Sequence, residues 1–245
     1  VGTMALWEAH FDTFTIFFFA LALLFFERER FWLFFASLLL AVSVKENASF
    51  VVFMFGPYAF LRRRSWRWVL VPVALGFAWF LVVMKWLIPS FAGNAERYPG
   101  GYLFGVYYSH FGNTMFEVIK NVFMHPWAAI RFCLAGPKLF YPAYLLAPTG
   151  GLVFLSPAAL LMTAPIFAQN LLSMGPTHSS LQFHYTAMMI PFFFAGMIDG
   201  YRRLKIGSRP VYVRSLVWIS LIIVNVIVGI FLRAPQLYLV SHFAQ

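Results

Sequence analysis

Long runs of hydrophobic residues, separated by short polar clusters, make up most of this chain. Several runs approach the length of about 20 helical residues that crosses the hydrocarbon core of a bilayer. Because lipid offers backbone groups no hydrogen-bond partners, these runs are expected to be helices. The pattern predicts about eight membrane helices, at residues 12–26, 31–44, 48–61, 68–89, 138–149, 151–172, 183–200 and 213–232.

One long segment, residues 90–137, breaks this pattern with shorter apolar stretches and more polar residues. Within it, residues 114–124 carry apolar side chains at helical spacing, with Glu117 and Lys120 on the opposite face. This spacing predicts an amphipathic helix at the membrane interface. Pro126 is expected to end that helix, and a second short helix should follow.

The composition agrees with a membrane protein. Of 245 residues, 62% are hydrophobic and only 11% are charged, whereas soluble domains carry roughly 25% charged residues. We therefore predict an all-α, polytopic integral membrane protein with a single transmembrane domain over residues 1–245. The chain opens at Val1 without an initiator methionine or a signal peptide, which indicates a fragment that lacks N-terminal helices.

The net charge is +10, and most of the basic residues lie in three short loops, at residues 27–30, 62–67 and 202–214. Basic residues concentrate in the cytoplasmic loops of membrane proteins. These loops are therefore predicted to be cytoplasmic, and residues 90–137 to lie on the outer face. Since topology explains the basic residues, nucleic-acid binding is not predicted.

The cluster Lys45-Glu46-Asn47 lies between two apolar runs of about 14 residues, each about 21 Å long as a helix. Starting from cytoplasmic loops, such helices would fall short of the outer surface. The cluster would then form the floor of an outward-facing recess, where ionisable residues are costly and suggest function. The alternative is a structural ion pair that ties a helical hairpin together.

A second polar cluster, with Glu8, His10 and Asp12, precedes the first predicted helix. On a helix, Glu8 and Asp12 would share one face; in an extended chain, all three side chains would point the same way. Either arrangement suits a general base or a divalent cation such as Mg²⁺ or Mn²⁺, held by Glu8 and Asp12. Alternatively, the acidic residues only stabilise a helix N-terminus.

Other polar residues on the predicted outer face could bind a substrate. Arg97 and Lys138 could pair with an anion, while His184 and Tyr185 open the helix at 183–200. A single histidine at a membrane edge is more commonly just an interfacial residue. The substrate-binding candidates are His10, Lys45, Asn47, Arg97, Tyr98, His110, Lys138, His178, His184 and Tyr185.

The order of these motifs resembles a family of predicted bacterial and archaeal membrane proteins that is known as a domain of unknown function. The motifs are the acidic cluster at 8–12, Lys-Glu-Asn at 45–47 before an arginine-rich loop, Tyr-Tyr-Ser-His-Phe-Gly at 107–112, and His-Tyr at 184–185. The resemblance covers about residues 5–203. That family in turn resembles the GT-C membrane glycosyltransferases.

The GT-C resemblance implies a sugar transferase of the cytoplasmic membrane that uses a polyprenyl-phosphate sugar donor at the outer face. The main catalytic acid of that class would precede Val1, so Glu8, Asp12 and Glu46 remain as catalytic candidates. A noncatalytic subunit of a larger membrane complex, or a lipid or solute transporter, is the alternative. Transporters commonly contain inverted repeats, and we find no repeat in this sequence.

Overall fold

The computed structural model describes residues 11–91, 106–179 and 184–243, and every regular element in these ranges is helical. This confirms the all-α prediction for the described part of the chain. The helix Trp66–Val82 continues through a π-helical turn, Val83–Leu87, into Ile88–Phe91. The helices are α1 (Thr13–Glu27), α2 (Phe31–Val44), α3 (Ala48–Leu61), α4 (Trp66–Val82), α5 (Met115–Met124), α6 (Pro126–Cys133), α7 (Tyr141–Leu146), α8 (Pro157–Leu172), α9 (Ile190–Arg203) and α10 (Val211–Phe243).

Two of the described helices are long and apolar enough to cross a membrane, at Trp66–Ser90 and Val211–Ile230. Only 17% and 6% of their apolar windows are buried inside the protein, whereas the core helix of a soluble protein is mostly buried. Helices α1, α2, α3 and α8 are also apolar but have only 14 to 16 residues. Eight membrane crossings therefore remain a prediction.

The shorter helices carry apolar side chains on their outward faces as well as on their buried faces. On α1, Phe19 and Phe26 are fully buried, while Phe14 and Phe17 are 54% and 58% exposed. A helix that is hydrophobic on all sides but buried on one needs an apolar surrounding for the other. This surface is suited to lipid.

Helices α3 and α4 pack with their backbones in direct contact. A Cβ atom added at Gly76 of α4 would lie 2.6 Å from the carbonyl oxygen of Ser49 and 2.7 Å from the backbone nitrogen of Phe53, both on α3. On α3, a Cβ atom at Gly56 would likewise meet Val69 and Val73 of α4. Small residues at such crossings are typical of packed membrane helices.

The basic loops lie together at one end of the helices, which we call the basic end. Arg62 donates hydrogen bonds of 2.8 Å to both carboxylate oxygens of Glu27, and Arg64 forms an ion pair with Glu29. Asp199, near the end of α9, acts electrostatically on Arg62. All three loops therefore share one end, as the charge pattern predicts.

The predicted helix at 138–149 is wrong as one continuous element. The structure has a 3₁₀ turn at Gly136–Phe140, the short helix α7, and a second 3₁₀ turn at Ala147–Thr149. Gly150 and Gly151 follow with φ angles of 57° and 76°, a left-handed conformation that glycine adopts readily. The predicted helices at 151–172 and 183–200 likewise begin with 3₁₀ segments, at Leu152–Leu155 and His184–Met189.

The predicted amphipathic helix at 114–124 is confirmed as α5, and the second short helix as α6. The Thr114 hydroxyl accepts a hydrogen bond from the Glu117 backbone N–H at 3.3 Å, and the Glu117 carboxylate accepts one from the Asn113 N–H at 2.8 Å. These bonds satisfy N–H groups that the first helical turn leaves free. Val118 is buried against the protein, while Phe123 is 80% exposed.

Candidate functional site

An ion pair between Lys45 and Asp12 lies at the end of the molecule opposite the basic end. Lys45 belongs to the turn between α2 and α3, and Asp12 is the N-cap residue of α1. Their side chains are only 14% and 12% exposed. The pair therefore ties the start of α1 to the α2–α3 hairpin, with Asp12 and not Glu46 as the partner of Lys45.

Aromatic rings extend from this ion pair. The Lys45 Nζ atom lies 5.1 Å from the centroid of the Tyr185 ring, close enough for a cation–π interaction. Tyr185 stacks on His178 at a centroid distance of 4.0 Å, and His178 contacts Tyr107 at 4.5 Å. The structure thus brings together four residues that the sequence predicts for the site: Asp12, Lys45, His178 and Tyr185.

A cavity of about 220 Å³ lies beside the same turn, between α3, α4, α5 and α8. Glu46 and Asn47 line it together with Gln169 of α8 and Tyr108, which precedes α5. Lys45, though next to Glu46 in the sequence, is not among the residues that line this cavity. The remaining walls are apolar and consist of Phe50, Phe80, Met84, Met115, Val118, Ile119 and Pro165.

Two residues that line this cavity, Glu46 and Asn47, carry oxygen acceptors to which no described group of the protein donates. The Asn47 Nδ2 group donates to Gln169 Oε1 at 3.4 Å, while Asn47 Oδ1 is buried and has no hydrogen-bond partner in the described part of the chain. Within the same ranges, the Glu46 carboxylate forms no ion pair or hydrogen bond. Buried polar atoms without a partner are exceptions in folded proteins and suggest a missing ligand or water.

Two adjacent amide residues of helix α8 connect it to both regions: Gln169 lines the cavity, and Asn170 bonds to the backbone of Tyr185 in the aromatic cluster. Asn170 is buried and donates to the Tyr141 hydroxyl at 2.9 Å and to the Tyr185 carbonyl at 3.2 Å. The carbonyl of Gln169 accepts a hydrogen bond of 3.1 Å from the Tyr108 hydroxyl. Gln169 is absent from the sequence-predicted site residues, although a polar pair within the apolar run 151–172 is a signal that could have indicated it.

Lys138 and His110 lie together beside Phe132 of α6. The Lys138 ammonium donates to the backbone carbonyls of Leu171, at 2.9 Å, and Ser173, and so satisfies acceptors at the end of α8. The Lys138 Nζ atom lies 3.8 Å from the centroid of the Phe132 ring, and the centroids of the His110 and Phe132 rings are 4.1 Å apart. Lys138 is therefore engaged by the protein itself, and its predicted role as a partner for a substrate anion is untested.

The chain's sequence matches a family model described as "Predicted membrane protein (DUF2079)" over residues 4–243. The chain belongs to this family. The match agrees with the resemblance seen in the sequence and supports a membrane location, together with the two long apolar helices. No curated protein and no solved structure matches the chain.

Some candidate residues of this family member lie outside the described residues. They are Glu8, His10, Arg97 and Tyr98. The backbone of His184 begins a 3₁₀ segment, but the structure does not describe its side chain. Within residues 11–91, 106–179 and 184–243, no three histidine, cysteine, aspartate or glutamate side chains come together to hold a metal. The predicted cation site of Glu8 and Asp12 therefore remains a prediction.

Acidification is expected to weaken the contact of His110 with α6. Burial, and next the positive charge of Lys138, lower the pKa of His110 below its usual value of 6.5. As the pH falls through about 6.5, the unfolded chain takes up this proton before the folded one, so stability decreases until the pH passes the folded pKa. Unfolding midpoints measured between about pH 7.5 and pH 5 should fall less for His110→Gln than for the native protein. Parallel pH profiles would contradict the assignment.

Proposed function

We propose that this protein is a membrane glycosyltransferase that moves a sugar from a lipid-phosphate donor to an acceptor at the outer face. The observation that carries the proposal is the position of Lys45 and Glu46 on one turn, with Lys45 beside the Tyr185 ring and Glu46 in the lining of an apolar cavity. A cation beside aromatic rings suits a phosphate and its sugar, while a carboxylate in an apolar cavity suits proton transfer. Membership of a membrane protein family is compatible with a donor that is itself a lipid.

In the proposed reaction, the Glu46 carboxylate accepts a proton from an acceptor hydroxyl. The hydroxyl oxygen forms a bond to the sugar's anomeric carbon, and the bond from that carbon to the phosphate oxygen breaks. The phosphate leaves with the electron pair of that bond. Lys45 stabilises the charge on the leaving phosphate, because a fixed cation interacts strongly in a site that excludes water.

Asp12 has a positioning role in this proposal. Its carboxylate holds the Lys45 ammonium at the end of α2 before the donor arrives. A carboxylate is also the type of ligand that Mg²⁺ and Mn²⁺ prefer, so Asp12 and Glu8 are the residues that would hold a divalent cation. Such a cation, when bound, would supply further positive charge for the phosphate.

Replacing Glu46 by glutamine is expected to lower sugar transfer at least about 100-fold, the usual scale of general base catalysis. The measurement is turnover of polyprenyl-phosphate-linked sugars by membranes that contain the full-length protein. Glu117→Gln is the matched control: it removes a carboxylate from the outer segment, while the amide oxygen can still accept the Asn113 N–H. Its transfer rate should stay within about twofold of the native rate.

Two results would contradict this proposal in different ways. If Glu46→Gln transfers sugar at the native rate, Glu46 is not the base. If the native protein turns over none of a panel of lipid-phosphate sugars, the transferase proposal fails as a whole.

A noncatalytic role, as a subunit of a larger membrane complex or as a lipid or solute transporter, is the second candidate. The observation in its favour is that two cations near the site already have protein partners: Lys45 pairs with Asp12, and Lys138 with two carbonyl oxygens. Such contacts stabilise a fold without any substrate. For a subunit, purification from native membranes in mild detergent should recover a stable complex that contains further membrane proteins.

A further inference from the structure

The cavity beside Glu46 has a polar end that calls for a hydrogen-bond donor. Asn47 is 7% exposed, its Oδ1 atom has no partner in the described ranges, and its Nδ2 group already donates to Gln169. The Glu46 carboxylate adds further acceptor oxygens to the same lining. An acceptor that is buried without a donor costs folding free energy, which a donor on a ligand would recover.

The charge and the size of the cavity narrow the choice of ligand. Among the described residues that line it, none is a lysine or an arginine, and Glu46 would repel a phosphate. Its volume of about 220 Å³ is somewhat larger than the roughly 150 Å³ of a cavity that holds benzene. The cavity therefore has room for a hydroxyl group and the first carbons of an apolar body, but not for a lipid-phosphate sugar.

The position of the cavity indicates where such a ligand comes from. Phe80 and Met84 belong to the helix at 66–90, which is long and apolar enough to cross a membrane. Ile119 belongs to the amphipathic helix α5 and is 44% exposed. A molecule that is apolar at one end and carries a hydroxyl at the other collects at the membrane interface, where an amphipathic helix also lies.

We infer that this cavity binds an amphiphilic alcohol with its hydroxyl group toward Asn47 and Glu46, as the acceptor of the transferred sugar. The acceptor role rests on the proposed transferase function, whereas the binding of the alcohol does not. The hydroxyl donates to an acceptor oxygen of Asn47 or Glu46, and the apolar body packs against Phe50, Met84 and Ile119. In this arrangement the donor's phosphate lies at Lys45, the residue before Glu46 on the same turn, and its sugar reaches the acceptor hydroxyl.

Photolabelling of the full-length protein in native membranes tests the inference. The probe is a long-chain alkanol that carries a diazirine near the hydroxyl, and its methyl ether is the matched probe without a donor. The alcohol should label peptides that line the cavity about three- to tenfold more than the ether, the scale of one hydrogen bond. Asn47→Leu should reduce this preference.

A second pair of variants tests whether the label lies in the cavity. Ile119→Trp places a larger side chain in the lining and should reduce labelling by the alcohol several-fold. Phe123→Trp, on the same helix but 80% exposed and outside the lining, should leave labelling unchanged. Because both positions are exposed, neither substitution is expected to unfold α5.

The outcomes separate the two proposals. Equal labelling by the alcohol and the ether, or labelling that Ile119→Trp does not reduce, overturns the alcohol site. Preferential labelling that Asn47→Leu and Ile119→Trp reduce, and that Phe123→Trp leaves unchanged, supports it. If that labelling is found while the native protein transfers no sugar, the alcohol site stands and the transferase proposal fails.

Discussion

Replacing Lys45 by methionine is expected to lower the free energy of unfolding by about 3 kcal/mol. Lys45 and Asp12 are almost buried, with side chains 14% and 12% exposed, so water screens their charges little. Removing the ammonium takes away the cation that pairs with the Asp12 carboxylate in this environment, and loss of one partner typically costs about 3–5 kcal/mol in a buried pair. Methionine keeps most of the apolar length of the side chain.

The measurement is chemical unfolding of the detergent-solubilised protein in a double-mutant cycle. Asp12→Asn alone should also be destabilising, while Asp12→Asn combined with Lys45→Met should recover part of the loss, because both charges of the pair are then removed. Arg62→Met is the control: its pair with Glu27 is 38% and 47% exposed, and exposed pairs contribute less than about 1 kcal/mol. Additive single losses would show that Lys45 and Asp12 are not coupled.

Replacing Gly76 by leucine is expected to destabilise the protein by about 3 kcal/mol or more. Already the first side-chain atom would lie 2.6 Å from the Ser49 carbonyl oxygen and 2.7 Å from the Phe53 nitrogen. Backbone atoms of a helix cannot move aside as the end of a flexible side chain can. Helices α3 and α4 would have to separate, and the turn of Lys45, Glu46 and Asn47 at the start of α3 would move with them.

Gly229→Leu on α10 is the matched control for Gly76→Leu. Both substitutions add the same side chain to an apolar helix, but within the described part of the chain no side chain and no other element lies within 4 Å of a Cβ atom at Gly229. Thermal unfolding in detergent should therefore show a large decrease in midpoint for Gly76→Leu and little change for Gly229→Leu. Similar midpoints for the two variants would refute the close packing of α3 and α4.

The sequence predicted those helices best whose ends carry strong local signals. The runs at 31–44 and 48–61 end at charged residues, and their bounds agree with α2 and α3. The amphipathic pattern at 114–124 and the proline at 126 likewise agree with α5 and α6. Hydropathy failed at 138–149, since Pro142 and Pro148 interrupt this apolar segment and two glycines, Gly150 and Gly151, follow it.

Pairings between distant residues could not be predicted from spacing. The sequence indicated that Lys45 was important, but its partner, Asp12, is 33 residues away and meets it only because α1 and α2 form a hairpin. Similarly, nothing in the sequence around Lys138 indicates that it donates to carbonyls at the end of α8. Such contacts depend on how the helices pack. A hydrophobic pattern indicates which face of a helix is buried, but not which helix packs against that face.

The 14-residue length of α2 and α3 makes the thickness of the surrounding bilayer part of the environment of the site. Where these helices enter a membrane from the basic end, they reach about 21 Å into a hydrocarbon core of about 30 Å. The bilayer next to them must then become thinner, at a cost of fractions of a kcal/mol per Å of mismatch, or its lipids must cover the turn at residues 45–47. Acyl-chain length would thus set the local dielectric around Lys45 and Glu46, without any change in the protein.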